Sequence, residues 1–516
     1  MNIVLFYPRL GWMDTFILDL PLSIIYAAHK CQQHGIEVRY IDQRIVGSEW
    51  REKLAGAIDD KTVLIGFSVM SGSPLRFALD ATRYCKTKYP HLPTVWGGMH
   101  VTIRPEEAAR DADIDYIVRG LGSNSLYLLT LLIGQGKGKA SEIPGLGWKE
   151  DTLYRENGMQ ETADYPPLAE LSYSGLDWDR YTRFNYKERV YSLFTSFGCP
   201  HKCKFCFAPI FWKSIKGRKW FPYAAEDVID HVALTVSQHN IGYISMLDEN
   251  FLLDLPRATI IFRGLLARNV KVHWGIRGAR IDDLDRADDE FMRLLVEVGV
   301  RQIMIGAESG SPRMLEAMKK GITVQQIIRV NKKLARYPQL NPSYNFLSGL
   351  PGEEIEDLFK SVDLILTMIQ DNPSATFSGL NQLIPFPGSD LFDQCVAHGY
   401  RMPTTLEGWA GVDTHYNDMK SPWLDQKFEK TLHAIQAALM FVDYKAEREL
   451  TGSGQSCSRG IMMDLIYSCI GWITRLYRPI ARWRLRNHCF AVPIDYGLIK
   501  VGVKLMHWMT LLRKAS

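Results

Sequence analysis

Between about residues 189 and 390, short apolar runs alternate six times with helix-like stretches, and that repeat confines the chain to a parallel α/β architecture. The candidate strands are Val190–Phe197, Tyr243–Leu247, Val270–Ile276, Gln302–Ala307, Ser343–Leu347 and Thr376–Ile384. Helices fit between them over Ala225–Gln238, Arg257–Arg268, Glu290–Val298, Val324–Ala335 and Glu354–Ile369. Six such units close naturally into a curved, partial (β/α)6 barrel, with catalytic groups expected at the carboxyl ends of its strands. Directly after the first strand comes Cys199-Pro200-His201-Lys202-Cys203-Lys204-Phe205-Cys206, three cysteines at CxxxCxxC spacing, where that rule places chemistry.

Iron–sulfur clusters are held by Cys thiolates, usually four. Three thiolates bind only three irons of a [4Fe–4S] cube and leave the fourth open to a ligand, which points to catalysis rather than electron storage. Zinc is the alternative, with His201 as a fourth ligand. Structural zinc takes paired ligands from two separated knuckles, and no second CxxC or HxxxH lies nearby. Buried, inert thiols are the other alternative, and the crowding of the three cysteines with Phe205 and Phe207 argues against it. The segment resembles the radical S-adenosylmethionine (SAM) superfamily, whose open iron is chelated by the amino and carboxylate groups of SAM.

Further strand ends fit that resemblance. Asp248-Glu249-Asn250-Phe251 resembles the family's D-D/E-N-F element, whose polar side chains would hydrogen-bond the SAM ammonium; a helix N-cap is the plain alternative. Arg277 and Arg280 follow the third strand, and either guanidinium suits the SAM carboxylate. Gly306-Ala307-Glu308-Ser309-Gly310-Ser311 resembles GxESGS, with Glu308 accepting from a ribose diol and Ser309 contacting SAM. Gly349-Leu350-Pro351-Gly352-Glu353 resembles a G-x-P-G-E turn, with adenine contact from Gly349 and Pro351, and Pro385-Phe386-Pro387-Gly388-Ser389 resembles PxPGT.

The first 134 residues read as a second α/β unit. Strands are expected at Asn2–Tyr7, Ile36–Ile41, Val63–Ser68, Thr94–Trp96 and Tyr116–Val118, with helices at Ser23–His34 and Leu75–Lys88. This is the pattern of a doubly wound, flavodoxin-like sheet, which binds ligands beyond the carboxyl ends of its strands. Ser68, Met70, Ser71, Gly72, Gly97, Gly98, His100, Gly120 and Gly122 cluster at those ends. Ser68-Val69-Met70 and Gly97-Gly98 resemble the SxL and GG parts of the cobalamin-binding signature, and the DxHxxG part is absent. Its His would ligate cobalt from below, so the resemblance implies cobalamin bound base-off, as in cobalamin-dependent radical SAM proteins. Where relatives read GEGE, this chain reads Gly120-Leu121-Gly122-Ser123.

The domain plan is therefore 1–134 for the cobalamin sheet, 135–188 for a linker with a small hairpin, 189–390 for the barrel and 391–516 for a helical region. The hairpin is placed at Leu146–Tyr154 with a turn at Asn157-Gly158. A content of 46% hydrophobic and 23% charged residues over 516 suits a globular protein of several domains. The six other cysteines, Cys31, Cys85, Cys395, Cys457, Cys469 and Cys489, form no paired framework, and no signal peptide is apparent. A reducing cytoplasm is expected, which also suits an oxygen-sensitive cluster. No apolar run is long enough for a transmembrane helix. From Ser456 to Ser516, ten Lys/Arg oppose two Asp/Glu, so the basic character of a chain of net charge +4 lies in its tail. There, Arg475, Arg478, Arg482, Arg484 and Arg486 interleave with Leu476, Tyr477, Ile480, Trp483 and Leu485. That pattern suits peripheral contact with an anionic inner-membrane surface, an RNA, or a helix packed on the barrel with solvated arginines. No appended RNA-binding pattern supports nucleic acid.

The resemblance implies an enzyme with a [4Fe–4S] cluster, SAM and cobalamin. A reduced cluster would cleave SAM to a 5′-deoxyadenosyl radical able to abstract hydrogen from an unactivated carbon, and methylcobalamin would then deliver a methyl group. The expected partners are a small or lipid-like substrate and an external electron donor such as flavodoxin or ferredoxin. Relatives such as the P-methylases and hopanoid methylases transfer methyl groups, whereas the anaerobic magnesium-protoporphyrin cyclase does not, so an oxidoreductase or cyclase is the alternative. A cobalamin- or SAM-binding regulator without turnover is a further one.

Overall fold

The computed structural model describes residues 1–11, 14, 19–151, 153–162, 164–182, 188–412, 421–442, 461–490 and 494–495. The N-terminal sheet contains β1 (Asn2–Tyr7), β2 (Glu37–Asp42), β3 (Thr62–Ser68), β4 (Thr94–Gly97), β5 (Tyr116–Val118), β6 (Leu146–Glu150) and β7 (Leu153–Glu156), in the order β2-β1-β3-β4-β5-β6-β7. β1 to β5 are parallel. Strands covered on both faces need near-continuous apolar runs, and β3 supplies one, with Leu64, Ile65 and Phe67 buried. The order reverses between β1 and β3, which opens the ligand crevice beyond their carboxyl ends.

The hairpin departs from the sequence expectation. β6 pairs antiparallel with β5, and β7 with β6, so this part of the expected linker belongs to the N-terminal sheet. Its turn falls at Asp151, which adopts a φ of 56°, rather than at Asn157-Gly158. Asn157 instead donates through Nδ2 to the carbonyls of Ala140 and Ile143, each at 2.7 Å. The physical reason is the free edge of β5, whose backbone groups the hairpin satisfies.

The barrel opens with β8 (Arg189–Leu193), followed by a short antiparallel ribbon of β9 (Ser196–Phe197) and β10 (Phe221–Pro222). Then come β11 (Ile241–Met246), β12 (His273–Arg280), β13 (Val300–Glu308), β14 (Pro342–Ser348) and β15 (Thr376–Gln382). All six main strands are parallel, in the order β15-β14-β13-β12-β11-β8, an open, partial barrel. The outer helices bury one stripe each; Leu358, Val362 and Ile365 do so on the helix Ile355–Asp371. The expected third strand shifts toward its carboxyl end. Val270 donates its N–H to the Leu265 carbonyl and completes the preceding helix, whose C-terminal Asn269 is left-handed at φ 56°. Arg277 and Arg280 therefore lie on β12 rather than after it.

Polar contacts fix the sheet against the barrel. The Leu20 N–H donates to Ser192 Oγ at 3.3 Å, Ser192 Oγ to Asp19 at 3.1 Å, and Arg277 pairs with Asp19 at 2.7 Å. Nearby, Asp42 takes a buried ion pair from Arg44 at 2.6 Å and the Tyr181 hydroxyl at 3.2 Å. In the C-terminal region, the helix Gln426–Leu439 covers the β15 edge, with Gln436 Nε2 donating to the Leu380 carbonyl at 2.6 Å. The helix Ile461–Arg486 lies across it and across Ile355–Asp371. Among the described residues, no helix is long and apolar enough to cross a membrane.

Candidate functional site

The loop carrying Cys199, Cys203 and Cys206 is held from both sides of the barrel. The Lys204 N–H donates to the Met318 carbonyl at 3.0 Å, and the Lys204 carbonyl accepts from the Leu391 N–H at 3.2 Å. The Phe207 and Phe386 rings lie 6.1 Å apart, so the turn after β15 closes on this loop. The three thiols are buried or half-buried, and burial pushes the Cys199 thiol up to about 11. Among the described residues, no three His, Cys, Asp or Glu side chains converge on a single ion. Three thiols at this spacing on one loop are the donor set expected of a multi-iron cluster, which takes one thiolate per iron.

The element after β11 braces this loop. Asp248 is buried, and its carboxylate accepts from the Thr195 N–H at 2.9 Å, Thr195 Oγ1 at 3.1 Å and Ser196 Oγ at 2.9 Å. These bonds divert Thr195 from the ladder and explain why the expected strand Val190–Phe197 breaks there. Glu249 accepts from the Gly198 N–H at 3.1 Å and from Trp212 Nε1 at 3.0 Å, which fixes the entry to Cys199. Burial pushes both carboxyls above their usual range. Asn250 donates to Asp283 at 2.7 Å, and its Oδ1 is buried without a protein partner.

A chain of charged groups runs from the cysteines to β13. Arg280 Nη1 donates to Cys203 Sγ at 3.4 Å, while Nη2 donates to the Lys320 carbonyl at 2.6 Å. Lys320 Nζ lies 2.7 Å from Glu308 Oε1 and 5.8 Å from the centre of the Phe205 ring. Both members of the Lys320–Glu308 pair are buried. Glu308 holds φ at +65°, a conformation that costs a residue with a side chain of its own and clusters at functional sites. A side chain at Gly306 would strike the Glu308 carboxylate and the Lys320 ammonium, so that glycine makes room for the pair. Sequence reasoning missed Lys320, because Lys319-Lys320-Gly321 looks like a charged surface turn. It also missed Trp212, which carried no motif.

Other predicted residues sit apart from this chain. Arg277 is engaged by Asp19 at the domain junction. Ser309 is fully buried and bonds Ser361 Oγ at 3.2 Å, which ties the end of β13 to an outer helix. Gly349 and Pro351 form the expected turn: Glu353 accepts from the Gly349 and Leu350 N–H groups, and burial pushes its carboxyl up to about 7.

The N-terminal residues form a cradle at the carboxyl ends of β3 and β4. The Val69 N–H donates to the Gly97 carbonyl at 2.8 Å, and its carbonyl accepts from the His100 N–H at 3.2 Å. Gly98 has φ +100°, and a Cβ there would stand 2.7 Å from the Val69 oxygen. Ser68 Oγ lies 2.7 Å from Ser23 Oγ, and Ser71 Oγ lies 2.9 Å from His100 Nδ1. His100 Nε2 is buried with no partner, and burial lowers that imidazole to about 4, so it is neutral at pH 7. Met70 is 44% exposed at the rim, beside Gly72, which has φ +92°. The Gly120 N–H donates to Thr102 Oγ1 at 3.0 Å. Between Gly120 and Gly122, Leu121 packs on the cluster of Ala208, Trp212 and Ile215 that also carries Cys199 and Cys206. The cradle and the cysteine loop therefore adjoin.

Comparison with known proteins agrees with this arrangement. The Radical SAM superfamily model matches residues 193–365, and the B12 binding domain model matches residues 20–129. An uncharacterized methyltransferase of Pyrococcus horikoshii is 27% identical over 62% of this chain and 66% of its own length. The anaerobic magnesium-protoporphyrin IX monomethyl ester cyclase of Rubrivivax gelatinosus is 26% identical over 59% of this chain and 53% of its own. The chain thus spans less than two thirds of these two relatives. The cytidylyl-2-hydroxyethylphosphonate methyltransferase of Streptomyces wedmorensis is 24% identical over 74% of this chain and 79% of its own. The fold is that of the cobalamin-dependent SAM radical enzyme OxsB (TM-score 0.70, 17% identity, 98% of this chain and 75% of that one). It is also that of the methyltransferase TsrM from Kitasatospora setae (TM-score 0.62, 18% identity, 95% and 100%).

Proposed function

We propose that this chain, which matches the Radical SAM superfamily model over residues 193–365 and the B12 binding domain model over residues 20–129, methylates an unactivated carbon of a small or lipid-like substrate. One observation carries the reading: the N-terminal cradle meets the cysteine loop through Leu121, so the two cofactor sites share one wall. The residues fit the groups implied. The loop offers three thiols without disulfide partners, and Asn250 Oδ1 and His100 Nε2 are buried polar atoms without a protein partner. When bound, the cluster and SAM supply a radical that removes hydrogen from carbon, and cobalamin supplies a methyl group.

Cys199, Cys203 and Cys206 would hold the cluster, with Arg280 offsetting charge at the Cys203 sulfur. Arg280 and Lys320 would face the SAM carboxylate, Asn250 Oδ1 would accept from its ammonium, and Glu308 would accept from the ribose hydroxyls. Asp248 and Glu249 act as positioning residues, since their oxygens are taken by the backbone that leads into the loop. Ser309, Gly349 and Pro351 shape the wall beside it. The Gly97-Gly98 backbone, Ser68, Ser71 and His100 would line the cobalamin, and Gly120 and Gly122 would flank it. A one-electron donor, a flavodoxin or ferredoxin, would come from outside the chain.

Two results are expected. Anaerobic reconstitution with iron, sulfide and hydroxocobalamin gives about four irons and about one cobalt per chain, with a base-off spectrum; four irons without cobalt would remove the methyl-transfer reading. Gly98→Ala, which forces a Cβ against the Val69 backbone, is expected to lower retained cobalt about tenfold or more while iron is unchanged. An oxidative cyclase is the second reading, favoured by the match to the Rubrivivax enzyme. Product mass separates the two: a gain of one CH2 unit against an oxidised or cyclised product.

A further inference from the structure

The helix Ile461–Arg486 has three distinct sides over its described side chains. The inner side is buried: Tyr477, Ala481 and Leu485 lose nearly all exposure, the Tyr477 ring lies 5.0 Å from Phe441, and Arg484 pairs with Asp495 at 2.9 Å. This is the packed helix that the tail's pattern allows. The opposite side is apolar and exposed: Trp472 at 64%, Leu476 at 71%, Ile480 at 49% and Trp483 at 58%. Spaced by four, four and three residues, these side chains fall within an arc of about 80°. Along one flank of that arc stand the exposed Arg475 and Arg486, with the half-buried Arg482 between them, whose Nη2 donates to the Val442 carbonyl at 3.3 Å.

A contiguous apolar stripe left in water marks an interaction surface. Two facts select its occupant. Tryptophan beside arginine is the composition of a helix lying in a membrane interface, with rings at headgroup depth and guanidinium groups on lipid phosphates. A second copy of the chain fits poorly in the antiparallel arrangement, because that isologous pairing would bring the same arginine flank against itself. We propose that Trp472, Leu476, Ile480 and Trp483 seat this helix in the surface of an anionic lipid bilayer, with the flanking arginines on its headgroups. The inference goes beyond the methylation reading and does not depend on it; where both hold, a lipid-like substrate is met at the surface that stores it.

The test is sedimentation of the full chain with vesicles of phosphatidylglycerol or of phosphatidylcholine, with tryptophan emission recorded alongside. The expected result is binding to phosphatidylglycerol with a blue-shifted emission, and binding to phosphatidylcholine at least tenfold weaker. Leu476→Glu with Trp483→Glu should weaken binding at least tenfold, and Arg475→Ser with Arg486→Ser by about fivefold per arginine. Because all four side chains are exposed, both variants should stay folded, with cooperative thermal unfolding retained. Absence of binding to phosphatidylglycerol, or equal binding by the variants, would overturn the proposal. So would a wild-type dimer that Leu476→Glu with Trp483→Glu converts to monomer without loss of vesicle binding. The assay involves no SAM cleavage, so its failure is separable from failure of the methylation reading.

Discussion

Cys203→Ala is expected to stop SAM cleavage, with 5′-deoxyadenosine under reducing conditions at least roughly a thousandfold below wild type. Cys203 is the buried member of the trio and accepts from Arg280 Nη1 at 3.4 Å, so alanine removes a thiolate and strands a buried guanidinium donor. Changing an outer partner of a metal ligand costs about 10–100-fold. Arg280→Leu should therefore fall in that range and Cys203→Ala beyond it. Iron per chain after reconstitution should drop in step. Cys395→Ala is the matched control, being buried with a thiol that burial pushes up to about 12, and it should retain both iron and cleavage. Unchanged cleavage in Cys203→Ala would refute the cluster assignment.

Lys320→Met should show the second large effect. It leaves the Glu308 carboxylate buried without its cation, 2.7 Å away in the native fold. Breaking one side of a buried pair costs about 3–5 kcal/mol, readable as a shift in the urea midpoint of the apoprotein. Replacing both charges, by Glu308→Gln with Lys320→Met, removes the orphan and should recover much of that stability. SAM affinity, measured by equilibrium dialysis, should stay about 10–100-fold weak in the single and the double variant. If affinity returned together with stability, the pair would be structural alone.

Much of this was legible in the sequence because it is periodic or local. Runs such as Val63–Ser68 announce a strand, and the cysteine spacing announces its own chemistry. What escaped is tertiary. Lys320 looks like a surface lysine until β13 and its glycine at 306 open a pocket for it. Arg277 looks available for a ligand until Asp19 arrives from a different domain. The hairpin Leu146–Glu156 has the local pattern of a free-standing turn, and its place is decided by the unpaired edge of β5 far from it in composition. Val270 has strand propensity, yet a left-handed Asn269 makes it the end of a helix. In the first three cases a group from elsewhere in the fold outweighs the local signal, and in the last the turn that ends the helix does.

The junction at Asp19, Leu20 and Asp42 limits how such proteins can be recombined. A barrel grafted with its preceding segment onto another N-terminal sheet would keep Ser192, Arg277 and Tyr181 but lose the groups they bond. A chimera is expected to need Asp19 and Asp42 transplanted with the barrel before its two halves fold as one, so exchange of whole domains between relatives is constrained by a handful of polar residues.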